Sequence, residues 1–222
     1  MSLRYWLLDL DRCLLDTNAL HLVFDEIVRS LNVVDVNDII HAKRVVEEQS
    51  GGSFDTAEFI QTELERLNQL DKWQDIEAEF IVASKNYDYL MPGAKELLAS
   101  LKAKKQNHGI ITYGGSVWQA VKIRAAGIEH IPHFITGQKN KGYLVADWLA
   151  AGRMPEALGG TSFDEVIMLD DKVVSFTGFP KARAKGFQVR TGKDINVDSS
   201  DLPANVVSIE SLYDVVRLLE TE

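Results

Sequence analysis

The stretch Tyr5-Trp6-Leu7-Leu8-Asp9-Leu10-Asp11 decides how this chain is read. Its four leading apolar residues read as a short buried strand. Two carboxylates follow, two residues apart. On extended backbone residues i and i+2 face the same way, so Asp9 and Asp11 are expected to converge at the strand's carboxyl end. Carboxylates that close repel each other and raise one pKa. Such a pair needs a cation, or a division of labour such as a nucleophile beside a general acid/base.

The rest of the chain bounds what that pair can belong to. At 222 residues it can bury a sizeable core, either as one α/β domain or as a core with a smaller insertion. Its 45% hydrophobic and 26% charged residues are ordinary for a soluble globular protein. The formal charge of −9 argues against nucleic acid as a partner. No apolar run reaches membrane-spanning length, and the N-terminus lacks the h-region and cleavage site of a signal peptide. Cys13 is the only cysteine, so no intrachain disulfide can form, and a reducing cytoplasm is the expected compartment. A monomer is the default expectation.

From Asp16-Thr17 to about Tyr89 the pattern is helical, with candidate helices over 19–31, 36–48, 56–67 and 72–86. Asp55 is placed to N-cap the third, with Glu58 three residues on as in a capping box. Gly51-Gly52-Ser53 breaks the second from the third. This predicts a small module of about four helices. After Met91-Pro92-Gly93 the pattern alternates: helix 94–104, strand 108–112, helix 117–126, strand 133–136, helix 144–151, strand 165–169, helix 173–184, strands 187–190 and 206–209, helix 212–220. Alternation of this kind predicts a doubly wound parallel sheet with helices on both faces, and ligand sites at the carboxyl ends of its strands.

The residues at those ends are informative. Gly109-Ile110-Ile111 runs into Thr112, then Tyr113-Gly114-Gly115-Ser116. A hydroxyl beside a glycine-rich turn either binds an anion or caps the next helix. Val166-Ile167-Met168-Leu169 runs into Asp170-Asp171, a pair that is costly without a cation unless one member caps a helix from Val173. Carboxylate oxygens gathered from two strand ends suit Mg²⁺ better than zinc, and no Cys/His cluster competes. Lys139 and Lys141 precede a helix, where the dipole disfavours a lysine unless it faces carboxylates or a phosphate.

In chain order the features are apolar-D-x-D, apolar-T, K and apolar-D-D. This order resembles the haloacid dehalogenase-like hydrolase superfamily over essentially the whole chain. The stretch from Leu8 to Thr17 is similar to its first motif, Thr112 to the second, Lys141 to the third and Asp170-Asp171 to the fourth. Gln119-x-x-Lys122 and Gly127-Ile128 are also similar to its members. Arg12 and Cys13 stand where Gly-Thr is common, and Tyr113 where Asn is frequent. The resemblance implies a core of 1–16 and 90–222, with a C1-type helical cap over 17–89.

It also implies a Mg²⁺-dependent phosphomonoester hydrolase acting on a small phosphorylated metabolite. Asp9 would be the nucleophile and Asp11 the general acid/base. Asp9, Asp170 and the main-chain carbonyl of Asp11 would hold the metal, with Asp171 in support. Thr112, Tyr113 and Lys141 would bind the phosphoryl group, and His21 would be a contact from the cap. Asp11 argues against the dehalogenase branch. A phosphomutase similar to beta-phosphoglucomutase is an alternative, with His21 its main support. A non-catalytic binding protein on the same fold is another, and the retained acids argue against it. His130, His133, Trp73, Trp118 and Trp148 read as loop or packing residues.

Overall fold

The structure is a computed structural model that describes residues 3–32, 34–50, 53–190 and 202–221. Gly51 and Gly52 of the expected helix break lie outside the described residues. Strand β1 (Arg4–Leu8) is followed by helices α1 (Thr17–Leu31), α2 (Val36–Ser50), α3 (Thr56–Arg66) and α4 (Lys72–Ser84). Then come α5 (Ala94–Ala103), β2 (Asn107–Tyr113), α6 (Ser116–Ala125), β3 (His133–Thr136) and α7 (Lys141–Ala151). The chain ends with β4 (Glu165–Asp170), β5 (Ala184–Val189), β6 (Val206–Ile209) and α8 (Leu212–Thr221). Among the described residues no helix is long and apolar enough to cross a membrane.

The six strands form one parallel sheet in the order β3-β2-β1-β4-β5-β6, so β1 lies between β2 and β4. Alternation along β1 sorts its side chains between two cores. Trp6 and Leu8 pack with residues of α5, α6 and α8, whereas Tyr5 and Leu7 pack with Val145 and Leu149 of α7. Both faces are covered, which is why the strands read as continuous apolar runs. The predicted α/β architecture is therefore the observed one.

The stretch 173–184 departs from expectation. It is not a helix: a 3₁₀ turn covers Val173–Phe176, and strand β5 already begins at Ala184. Gly178, in the left-handed region at φ 78°, and Pro180 stop the turn from extending, although Val173-Val174-Ser175-Phe176 begins with helix-like spacing.

Helices α1–α4 leave the sheet after the first motif and return to it at Leu90. Asp16 caps α1, its Oδ1 accepting the backbone N–H groups of Asn18 and Ala19 at 3.1 Å. The outgoing and returning chains lie side by side: Asp16 N–H donates to the Tyr89 carbonyl (2.8 Å) and Met91 N–H to the Leu14 carbonyl (2.9 Å). The four helices also share apolar packing with α6. The Phe24 ring lies 4.5 Å from Trp118 and 5.0 Å from Phe80, centroid to centroid.

Candidate active site

The carboxyl ends of β1, β2 and β4 and the first turn of α7 meet at one place. Asp9 follows β1, Thr112 is the penultimate residue of β2, and Asp170 ends β4. Lys141 opens α7, one turn earlier than the predicted helix start. Its helix can sit this close because Gly142 has no side chain: a Cβ there would stand 2.5 Å from the Thr177 carbonyl oxygen and 2.6 Å from the Phe179 nitrogen. Lys141, 2% exposed, thereby reaches the Asp9 carboxylate and donates to Asp170 Oδ2 at 2.7 Å. Burial disfavours its ammonium, but Asp170 and Asp9 outweigh that and hold its pKa above the ordinary lysine value. Lys139 instead lies over the Tyr113 ring, 5.6 Å from its centroid.

Asp9, Asp170 and Asp171 each offer an oxygen within 4.8 Å of the others, and all three residues are buried. Burial and then the Asp170 charge push the Asp9 carboxyl well up, against the pull of Lys141. The Asp171 carboxyl rises to about 6, again through burial and Asp170. Arg12 offsets part of this, with its guanidinium 2.6 Å from Asp171 Oδ2. Its backbone takes the left-handed φ of 62°, a conformation that glycine adopts at lower cost. Asp171 Oδ1 is buried without a hydrogen-bond partner. Hard oxygen donors, one unsatisfied, crowded at the cost of raised pKa values, fit a divalent cation such as Mg²⁺.

Asp11 has different surroundings. Strand β1 ends at Leu8 and the chain turns, with Leu14 and Leu15 N–H both bonding the Leu10 carbonyl. The extended spacing assumed for the pair therefore stops short of Asp11, whose carboxylate is held by other partners. Thr17 Oγ1 donates to its Oδ1 at 2.7 Å, Gln119 Nε2 donates to its Oδ2 at 2.9 Å, and the Lys122 ammonium pairs with it. Burial would raise this carboxyl, but Lys122 and the hydrogen bonds hold it below the usual carboxylate range. Asp9 and Asp11 still line one cavity of about 230 Å³, together with Tyr113, Lys139, Lys141 and Lys172.

Of the two readings of Thr112, the structure removes the helix cap. The N-cap of α6 is Gly115, and Asp55 of the helical module accepts from Val117 N–H (3.0 Å) and Trp118 N–H (3.1 Å). Thr112 does not cap α6; its Oγ1 is buried without a hydrogen-bond partner, and Thr112 is not among the residues that line the cavity of Asp9 and Lys141. Asp170 Oδ1 accepts Lys172 N–H at 2.9 Å, which orients the carboxylate.

The sequence alone gives Thr17, Lys122 and Lys172 no site role. Lys122 lies in a stretch similar to the superfamily, yet only the fold brings it to Asp11 across 111 positions. His21 lies beside Trp118, ring centroids 5.3 Å apart, facing a second cavity next to the first. His130 and His133 belong to no acidic or histidine cluster among the described residues.

Residues 6–143 match the family model for haloacid dehalogenase-like hydrolases, and this chain belongs to that family. Solved structures share the fold. One described as a haloacid dehalogenase-like hydrolase from Burkholderia xenovorans is 20% identical, with a TM-score of 0.64 over 98% of this chain and 97% of that one. The HAD-hydrolase YfnB from Bacillus subtilis, bound to magnesium, is 15% identical, with a TM-score of 0.56 over 99% of both chains. A variant of CbbY from Rhodobacter sphaeroides, in complex with xylulose-(1,5)bisphosphate, is 14% identical, with a TM-score of 0.55 over 96% of this chain and 95% of that one. Comparison with curated proteins finds no match.

Proposed function

We propose that the protein is a Mg²⁺-dependent phosphomonoester hydrolase acting on a small phosphorylated metabolite. The observation that carries this reading is the buried set Asp9, Lys141 and Asp170 on the wall of one cavity: a nucleophile and a cation arranged where a phosphoryl group needs both. Residues 17–89 would act as a cap over a core of 1–16 and 90–222, consistent with the paired crossing at Asp16–Tyr89 and Leu14–Met91.

Asp9 would attack phosphorus in line with the leaving oxygen and become an aspartyl phosphate. Thr112, the loop at Tyr113 and Lys141 would hold the phosphoryl oxygens as charge builds on them. Asp11 stands on the leaving-group side. Substrate negative charge beside it would raise its depressed pKa and load it with a proton for the departing alkoxide. Once the alcohol has gone, the hold of Lys122, Gln119 and Thr17 restores the carboxylate that deprotonates the hydrolytic water. Asp9, Asp170 and the Asp11 main-chain carbonyl, with Asp171 in support, would hold Mg²⁺, which would supply charge neutralisation to the dianionic substrate.

The test is phosphate release from an aryl phosphate, with and without Mg²⁺. Activity should vanish with EDTA and return with Mg²⁺. Undiminished activity in EDTA would overturn the metal assignment. The mutase alternative draws on His21 and Lys43, which both line the cavity beside Asp11. It requires isomerisation of a hexose monophosphate that depends on a bisphosphate activator and releases negligible phosphate.

A further inference from the structure

The phosphoryl cavity opens beside a second, larger one of about 390 Å³, and Asp11, Tyr113, Lys139 and Lys172 line both. Asp9 and Lys141 line only the smaller space, so the transferred group belongs there and the larger space faces the leaving group. Its charge is one-sided. Among the described residues, Arg12, Lys43, Lys122, Lys139 and Lys172 line it against a single carboxylate, Asp11, in a chain whose net charge is −9. Lys122 is engaged with Asp11 and Arg12 with Asp171. Lys139 lies over the Tyr113 ring, and Lys43 and Lys172 extend the positive field over the rest of the wall.

The helical module sharpens this asymmetry. It is acidic overall, yet among the described residues those it presents to the cavity include Lys43 and no acid. Asp25, close enough to Lys43 to be influenced by it, does not line the space. Like charges gathered round a partly enclosed volume repel one another, and a neutral occupant would leave that repulsion in place. An anionic occupant removes it. His21, on the same wall, is kept neutral by burial and by Lys122 and Lys43, so it contributes hydrogen bonding rather than charge.

We infer that the substrate carries a second anionic group, a carboxylate or another phosphate, on its leaving-group side, and that Lys43 with Lys172 selects for it. This rests on the phosphatase reading for the placement of the leaving group. It adds the substrate's chemical class.

The experiment uses two matched pairs of probes with Mg²⁺: glycerol 3-phosphate against 3-phosphoglycerate, and fructose 6-phosphate against fructose 1,6-bisphosphate. Binding is measured by calorimetry to Asp9→Asn protein, so that no turnover intrudes. Phosphate release by the unsubstituted protein is followed separately on the same four compounds. At least one doubly anionic member should bind ten-fold or more tightly than its partner, and the pair that shows this tells carboxylate from phosphate. Lys43→Gln should narrow the preference at least five-fold and Lys43→Arg should keep most of it. Equal binding within both pairs, no binding of any probe, or a preference indifferent to Lys43→Gln would overturn the inference. Absence of phosphate release with the binding preference intact would instead overturn the phosphatase reading and leave the anion pocket standing.

Discussion

Asp55 occupies the space that a side chain on Gly115 would need: a Cβ there would lie 2.2 Å from the Asp55 Cβ. The same Asp55 carboxylate caps two helices. It accepts Ala57 and Glu58 N–H at the start of α3, and Val117 and Trp118 N–H at the start of α6. One residue of the helical module thus closes a helix end in the sheet domain, and a core glycine makes room for it.

Asp55→Ala should cost about 2 kcal/mol, two caps at about 1 kcal/mol each. Gly115→Ala should also destabilise, by displacing Asp55. The double variant should lose clearly less than the sum, because the clash disappears with its partner. Urea denaturation of all four proteins measures this. Strict additivity would show that the residues do not share the site.

Asp9→Asn should abolish turnover, since an amide is no nucleophile. The metal-free variant should nonetheless be more stable than the parent at pH 7, by roughly 1 kcal/mol and a few degrees in Tm. The sign follows from the raised carboxyl: the folded state holds the Asp9 proton more tightly than the unfolded chain, so the ionised form weakens the fold as pH rises. Thermal melts in EDTA test it, and a lower Tm for the variant would contradict it.

Lys141→Met removes the cation that sits between Asp9 and Asp170. Buried ion pairs that lose one partner typically cost about 3–5 kcal/mol. Stability should fall by about that much without metal, and added Mg²⁺ should recover more of it than it adds to the parent. A loss below about 1 kcal/mol would mean the carboxylates tolerate each other without the lysine.

Burial, and then Lys122 and Lys43, push His21 from 6.5 to about 4. The unfolded chain therefore takes up a proton at higher pH than the folded one. The contribution of His21 is complete above about 6.5 and is lost as pH falls toward about 4. The full gap corresponds to about 3 kcal/mol. The stability difference between the parent and His21→Gln should shift in favour of the variant across that window. A difference that stays constant from pH 7 to pH 4.5 would refute it.

Much of the candidate site is legible in the sequence because its proposed members follow apolar strands. Asp9, Thr112 and Asp170 each lie at a strand end, and parallel topology brings those ends together without further information. Lys141 is legible for a similar reason, as a cation at a helix start. The partners of Asp11 are not: Gln119 and Lys122 arrive from a helix more than 100 positions away, and one turn after Leu8 redirects the carboxylate toward them. The stretch 173–184 misleads because its local spacing is helical while Gly178 and Pro180 act against it. Asp55 is legible as the cap of α3. Its second role depends on how two modules meet, which no local pattern records.

The register of β1 has a consequence for the chain as it leaves the ribosome. Tyr5 pairs with Asn107 on one side and with Val166 on the other. The first strand made is therefore flanked by strands made much later. Until residue 165 has emerged, one side of this largely apolar strand has no neighbour to bond, and loops of this length close slowly. Truncated chains ending before β4 should be the sticky ones, with an open edge seeking other strands. Chains that include β4 can close it.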